Sequence, residues 1–283
     1  ELGIALRNGA FLAVEEINAN GGINGRPLQL IVKDDMGDPA KALQVDQDLI
    51  DEGAIAIIGH VTSGQTGAVL DFINQNDILL ISGSSSATSF SGKADNFFRV
   101  ITDAKTLSSA FAEHIISDHD FREVTIIFSQ GNDPFVKPFS DGFEETFNLA
   151  GGTISDILPI ECEVVACTPD EIQAFVTNLK DSNPTAVLAI TSAYDLALLV
   201  QYSTQMDFET TWLSSTWAGT NELIEKGGVA VDGIVLVAAF HPDYDSEAYN
   251  TFRENYVDHF GKEPSLLSAN GYTAIRYLAT ALS

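Results

Sequence analysis

AIAIIGHVTSGQTGAVLDFINQNDILLISGSSSATS, residues 54–89, decides the fold. It holds two short apolar runs, Ala54–Ile58 and Ile78–Ser82, separated by a stretch of helical length that begins near Gly64. Neither run alternates with polar residues. Short continuous apolar runs of this kind suit parallel strands buried on both faces. Each run opens into hydroxyls: Thr62 and Ser63 after the first, Ser84, Ser85 and Ser86 after the second. Strand, loop, helix and strand in that order is the repeating unit of a doubly wound α/β sheet.

The pattern continues in both directions. Strands are predicted at Leu28–Lys33, Phe97–Ile101, Glu123–Phe128, Thr153–Leu158, Ala186–Ile190, Thr211–Leu213 and Gly233–Ala238. Helical stretches lie between them. Arg7–Asn20 stops at Gly21–Gly22, and Asp38–Pro39 reads as the cap and first residue of a helix reaching Glu52. Ile172, Phe175, Val176 and Leu179 share one helix face, as do Phe139, Phe143 and Phe147.

The 283 residues, 45% hydrophobic and 19% charged, suffice for about two domains. No apolar run approaches the roughly 20 residues of a membrane helix, so a soluble chain is expected. The chain starts at Glu1, with neither Met nor a signal peptide, so a processed or trimmed start is expected. Forty acidic against 14 basic residues give a formal charge of −26. Such a surface repels phosphate backbones and anionic lipid, which argues against nucleic-acid and membrane-surface partners. The excess is spread along the chain and has two readings, solubility or adaptation to high salt. Cys162 and Cys167 offer too few ligands for zinc. They read either as a local disulfide in an oxidising compartment or as free thiols.

Enzyme signatures are thin. No phosphate loop, dinucleotide fingerprint or nucleophile elbow occurs. His60 lies near Ser63 in sequence, but a catalytic pair also needs an oriented base and an oxyanion hole. Asp34, Asp35 and Asp38 lack the later glutamate of a calcium loop and read as a solvated turn. The serine loops are different. In an open α/β sheet ligands bind beyond the carboxyl ends of the strands. Hydroxyls and free amides near a helix start form a neutral cradle for an anion. Capping and turn formation explain the same residues without a ligand. Tyr194, Trp217, Phe240 and His241 stand at or beyond strand ends, where aromatics wall a cleft or simply pack the core.

NGAFLAVEEINANGGINGRPLQLIVKDDMGDPAKA, residues 8–42, resembles the opening of type I periplasmic solute-binding proteins of the branched-chain amino acid class. The two serine loops, FFRVITD (97–103) and WAGTNELIEKGG with VDGIVLV (217–237) continue the resemblance, which runs from about Arg7 to Leu282. It implies two α/β lobes that close on a ligand: residues 1–102 plus 241–283, the carboxylate side, and 103–240, the selector side. By position, Ser63, Ser84, Ser85 and Ser86 match the family's carboxylate clamp. Asp103, Tyr194, Thr216 and Trp217 match positions on the selector side. Thr216 stands where amino-acid binders often carry a glutamate for the ammonium. Asp103 or Asp195 would then replace it, or the ligand is an aromatic or keto acid without an amine. The family also has a strand before residue 1 and further strands after residue 283, so a longer protein is expected.

The expected function is that of an extracytoplasmic receptor, periplasmic or extracellular. It acts as a monomer, binds a small carboxylate by lobe closure and delivers it to an ABC permease. No catalysis, metal or cofactor is expected. The alternative is the ligand-binding sensor domain of a larger signalling receptor.

Overall fold

The computed structural model describes residues 2–119, 121–162, 167–238 and 245–283. The chain divides into two compact units, Glu1–Thr102 with Phe240–Ser283, and Asp103–Ala239. Strands and helices alternate along the chain within each.

The first unit opens with α1 (Leu2–Ala19) and α2 (Pro39–Asp51), then β1 (Ala56–Ile58), α3 (Ser63–Gln75), β2 (Leu79–Ser82) and β3 (Phe97–Arg99). The three strands run parallel in the order β1-β2-β3, with Ile57 opposite Leu80 and Ile81 opposite Phe98. Asp38 caps α2 by accepting from the Ala40 amide at 2.8 Å, and Pro39 fills the first helical position, where its missing N–H costs nothing.

The second unit carries α4 (Ala104–His119), β4 (Glu123–Ser129), α5 (Asp133–Leu149), β5 (Thr153–Ile160), α6 (Pro169–Ser182), β6 (Ala186–Ile190), α7 (Ala193–Gln205), β7 (Thr211–Ser214), α8 (Asn221–Gly227) and β8 (Val235–Leu236). All five strands are parallel, ordered β5-β4-β6-β7-β8. Successive side chains of β6 go to opposite faces. Val187 and Ala189 meet Ile172, Val176 and Leu179 of α6, while Leu188 and Ile190 meet Phe139, Phe143 and Phe147 of α5. All five residues of β6 are buried, which is why its sequence shows no alternation.

The chain then returns to the first unit with α9 (Glu247–Phe260) and α10 (Leu266–Leu282). Helices α1 and α10 touch backbone to backbone. A Cβ on Gly9 would lie 1.8 Å from the Ser268 carbonyl, and one on Gly271 would lie 2.1 Å from the Leu6 carbonyl. Only glycine permits that approach.

One predicted strand is not formed. Leu28–Lys33 has no strand assignment and pairs with none of the described strands. Its first residue is tied instead to the Asn18 side chain, which donates to the Leu28 carbonyl at 2.8 Å and accepts from its amide at 2.7 Å. A cavity of about 650 Å³ is lined by this run, by residues 54–61 and by α1 and α10. A ladder needs a neighbour about 4.8 Å away, and here the run faces the cavity. The remaining strands agree with the sequence within a few residues; Gly233–Ala238 shrinks to Val235–Leu236. Cys162 and Cys167 are joined as a disulfide, with Cα atoms 5.1 Å apart.

Candidate functional site

The two serine loops of the first unit form one hydrogen-bonded body. They leave adjacent parallel strands, β1 and β2, so their paths begin side by side. Thr62 caps α3 in a reciprocal box with Gln65, which fixes Ser63 at the first helical position. The Ser63 hydroxyl oxygen then accepts from the amides of Ser86 and Ala87, each at 3.1 Å. Ser84 donates its hydroxyl proton to the Val61 carbonyl at 2.6 Å. The Ser85 hydroxyl lies 3.0 Å from the His60 carbonyl, 3.1 Å from the Thr62 carbonyl and 2.6 Å from the Thr66 hydroxyl. Ser82, fully buried, donates to the His60 carbonyl at 2.9 Å and accepts from the Ser85 amide at 2.9 Å.

The four predicted serines therefore divide by what their protons do. Ser84 and Ser85 spend theirs on the opposite loop. Ser63 only accepts, and the Ser86 hydroxyl has no partner among the described residues. One hydroxyl proton at the start of α3 and one on the adjoining loop, with no basic side chain bonded to either among the described residues, suit an anion held by dipoles.

His60 takes no part in a dyad with Ser63. Its ring is 5% exposed, with Nδ1 2.8 Å from Asp35 and Nε2 3.1 Å from both oxygens of Asp46. Asp35 also accepts from the Gly37 amide at 3.0 Å, so this aspartate is more than a solvated turn residue. Burial works against ionisation of Asp35, yet its bonds from His60 and Gly37 hold its pKa below the usual carboxylate value.

The second unit places a different set at the carboxyl ends of its strands. Strand order reverses between β4 and β6, because β4 leads outward to β5 while β6 leads the other way to β7. That reversal is where open α/β sheets form their ligand crevice. Ser129 ends β4, and Ser192 caps α7 just beyond β6. Between them sits Asp195, 4% exposed, accepting from the Ser129 hydroxyl at 3.0 Å. Burial pushes its pKa up, and the hydrogen bonds from Ser129 and Ser192 only partly oppose this. No lysine, arginine or histidine pairs with it among the described residues.

Tyr194 lies half-buried on the first turn of α7, beside Asp195 in sequence. Thr216 and Trp217, both half-buried, follow β7. The Trp217 indole meets Phe135 edge-on at 6.1 Å and packs on the α4–α5 core. Asp103 precedes α4 and accepts from the amide and hydroxyl of Thr106, at 3.1 and 2.7 Å. Phe240 and His241 lie outside the described residues. Sequence reasoning missed Ser129, and it missed that Asp195 is buried. The only local signal was the Ser-x-x-Asp capping spacing of residues 192–195.

Among the described residues no group of three His, Cys, Asp or Glu side chains could hold a metal, and no helix is long and apolar enough to cross a membrane.

A family model described as periplasmic binding protein matches residues 1–283. The Leu/Ile/Val-binding protein homolog 1 of Brucella abortus is 25% identical over 283 residues, covering 99% of this chain and 73% of that protein. Among solved structures, a leucine binding protein LivK from Thermotoga maritima superposes with a TM-score of 0.88 at 25% identity, over 99% of this chain and 78% of that one. The branched-chain amino acid transporter substrate binding protein LivJ from Streptococcus pneumoniae, in complex with isoleucine, gives 0.90 at 23% identity, over 99% and 79%.

Proposed function

This chain belongs to the periplasmic binding protein family and is a solute-binding receptor rather than an enzyme, and from that premise we propose that its cargo is a small aliphatic amino acid. The family implies a place outside the cytoplasm and delivery to an ABC transporter. Within that frame we assign the protein to the periplasm or cell exterior, acting as a monomer, with no nucleic-acid partner.

The observation that carries the ligand class is the buried Asp195 at the reversal point of the second sheet. A buried carboxylate without a cation is costly, and a substrate ammonium would relieve that cost. In the same reading Ser63 and Ser86 donate to the amino acid's carboxylate, while Ser84 and Ser85 hold the serine loops in register. An anion solvated by hydroxyls needs no arginine once water is excluded. Trp217, Tyr194 and Thr216 meet the side chain, and Asp103 flanks the same end of the unit. Relatives whose names specify leucine, isoleucine and valine support an aliphatic side chain.

A second reading has its own support. Thr216 lacks the charge that amino-acid binders often place there, and Trp217 offers a half-buried aromatic face. An amine-free aromatic or keto acid would use the same serines. A sensor domain of a larger receptor would use the same ligand as an importer.

Calorimetric titration with leucine and with its keto acid decides between the ligand classes. The amino-acid reading expects leucine to bind and the keto acid not to. It also expects Asp195→Asn to weaken leucine by about tenfold or more, the loss of a buried charge pair. Binding of the keto acid alone overturns it in favour of the amine-free class. Binding of neither, nor of any other small carboxylate, overturns the clamp itself.

A further inference from the structure

We propose that His60 is a positioning residue for the carboxylate cradle, a buried imidazolium that ties the loop presenting Ser63 to α2 and to the turn at Asp35. The purpose assigned to the cradle rests on the ligand reading above; the coupling does not.

Both ring nitrogens of His60 face carboxylate oxygens, Asp35 at 2.8 Å and Asp46 at 3.1 Å. A neutral imidazole has one N–H, so only the charged ring donates to both. Asp46 is fully buried on α2, where an unpaired charge would be expensive. The main chain of the same residue then carries the serines. The His60 carbonyl accepts from Ser82 at 2.9 Å and lies 3.0 Å from the Ser85 hydroxyl, and the next carbonyl, Val61, accepts from Ser84 at 2.6 Å. The ring thus fixes the peptide, and the peptide fixes the second loop.

Burial by itself would lower the ring's pKa, but the bonds and charges of Asp35 and Asp46 outweigh it and push it up to about 9. No other charged group bonds the ring among the described residues. Arg7 of α1, which lines the neighbouring cavity, bonds Asn8, and Lys33 pairs with Glu52. Gln65 of α3 is neutral.

The test is nuclear magnetic resonance on the ¹⁵N-labelled ligand-free chain. Both His60 ring nitrogens are expected to carry imidazolium shifts at pH 7.5 and to titrate near 9. The Ser84, Ser85 and Ser86 amides are expected to move with the same midpoint. Asp46→Asn should lower that midpoint by about two units or more, so that the amides titrate between pH 6 and 8. Leucine is the binding probe, because its own ammonium does not titrate in that range. Its affinity should be flat from pH 6 to 8 in the parent and fall about fivefold in Asp46→Asn.

Should Asp46→Asn not fold, His60→Gln replaces it, with weakened leucine binding and no amide titration expected. A neutral His60 at pH 7.5 overturns the proposal. So do serine amides indifferent to the titration of the ring. Failure of leucine to bind the parent removes the amino-acid reading alone, because the amide titration needs no ligand.

Discussion

The amide of Ser86 donates to the hydroxyl oxygen of Ser63 at 3.1 Å, so the two residues offered as carboxylate donors are built into one frame. Neither hydroxyl proton has an acceptor among the described residues, but the structural duties of the two side chains differ. Ser63 also accepts from Ala87, whereas the Ser86 side chain holds nothing among the described residues.

Ser63→Ala should therefore weaken leucine binding by about 1–3 kcal/mol and also lower the unfolding midpoint, because two buried amides lose their acceptor. Ser86→Ala should weaken binding similarly and leave the melt nearly unchanged. Calorimetry and thermal unfolding on the same samples separate the two effects. Unchanged affinity in both variants removes the clamp assignment.

Trp217→Ala should change which acids bind more than whether carboxylates bind. The indole is half-buried, with part of its surface packed on Phe135. A competition series across leucine, valine, phenylalanine and alanine is the measurement. A uniform loss across the series would make Trp217 a packing residue only.

Stability should depend on pH at both ends of the scale. The folded pKa of His60 is about 9, above its unfolded value near 6.5. Its contribution is complete below pH 6.5 and disappears as pH rises through 9, a loss of roughly 3 kcal/mol. Asp35 has the opposite sign. Its pKa is lowered on folding, so its contribution is present above the ordinary carboxylate range and is lost on acidification. Urea unfolding at pH 6 and pH 10 tests the His60 limb, and His60→Gln should flatten it.

Gly271→Ala should be among the most damaging small substitutions. Its new methyl group would meet the Leu6 carbonyl at 2.1 Å, and the helix pair would have to part. Overpacking of this kind costs about 1–3 kcal/mol or more. Chemical denaturation measures it, and Gly271→Ser offers no relief.

If the charge of −26 reflects adaptation to salt, the thermal midpoint should rise steadily to molar sodium chloride. A flat response leaves solubility as its explanation.

The sequence made some of this architecture plain and hid the rest for identifiable reasons. Ala186–Ile190 was legible because burial on both faces leaves an unbroken apolar run. The helix at Pro39 was legible from its cap, a contact between near neighbours. Leu28–Lys33 misled, because apolar composition shows neither burial nor a hydrogen-bonding neighbour: none of its residues is buried, and Val32 is exposed. The His60 cluster was invisible because its partners lie 25 and 14 residues away and only the fold brings them together. Ser129 and Asp195, 66 residues apart, meet for the same reason. The serine loops were read from their place after strands, but their division into donors and struts needed atomic positions.

The glycine contact between α1 and α10 also has a bearing on synthesis. It joins residue 9 to residue 268, so the first unit's helix pair cannot form until nearly all of these 283 residues have left the ribosome. The second unit, Asp103–Ala239, is continuous and has its own sheet and core. Domains form as their sequence emerges, and contacts distant along the chain form slowly. The continuous second unit is thus placed to fold before the first unit's helix pair, with α1 waiting for α10 to arrive.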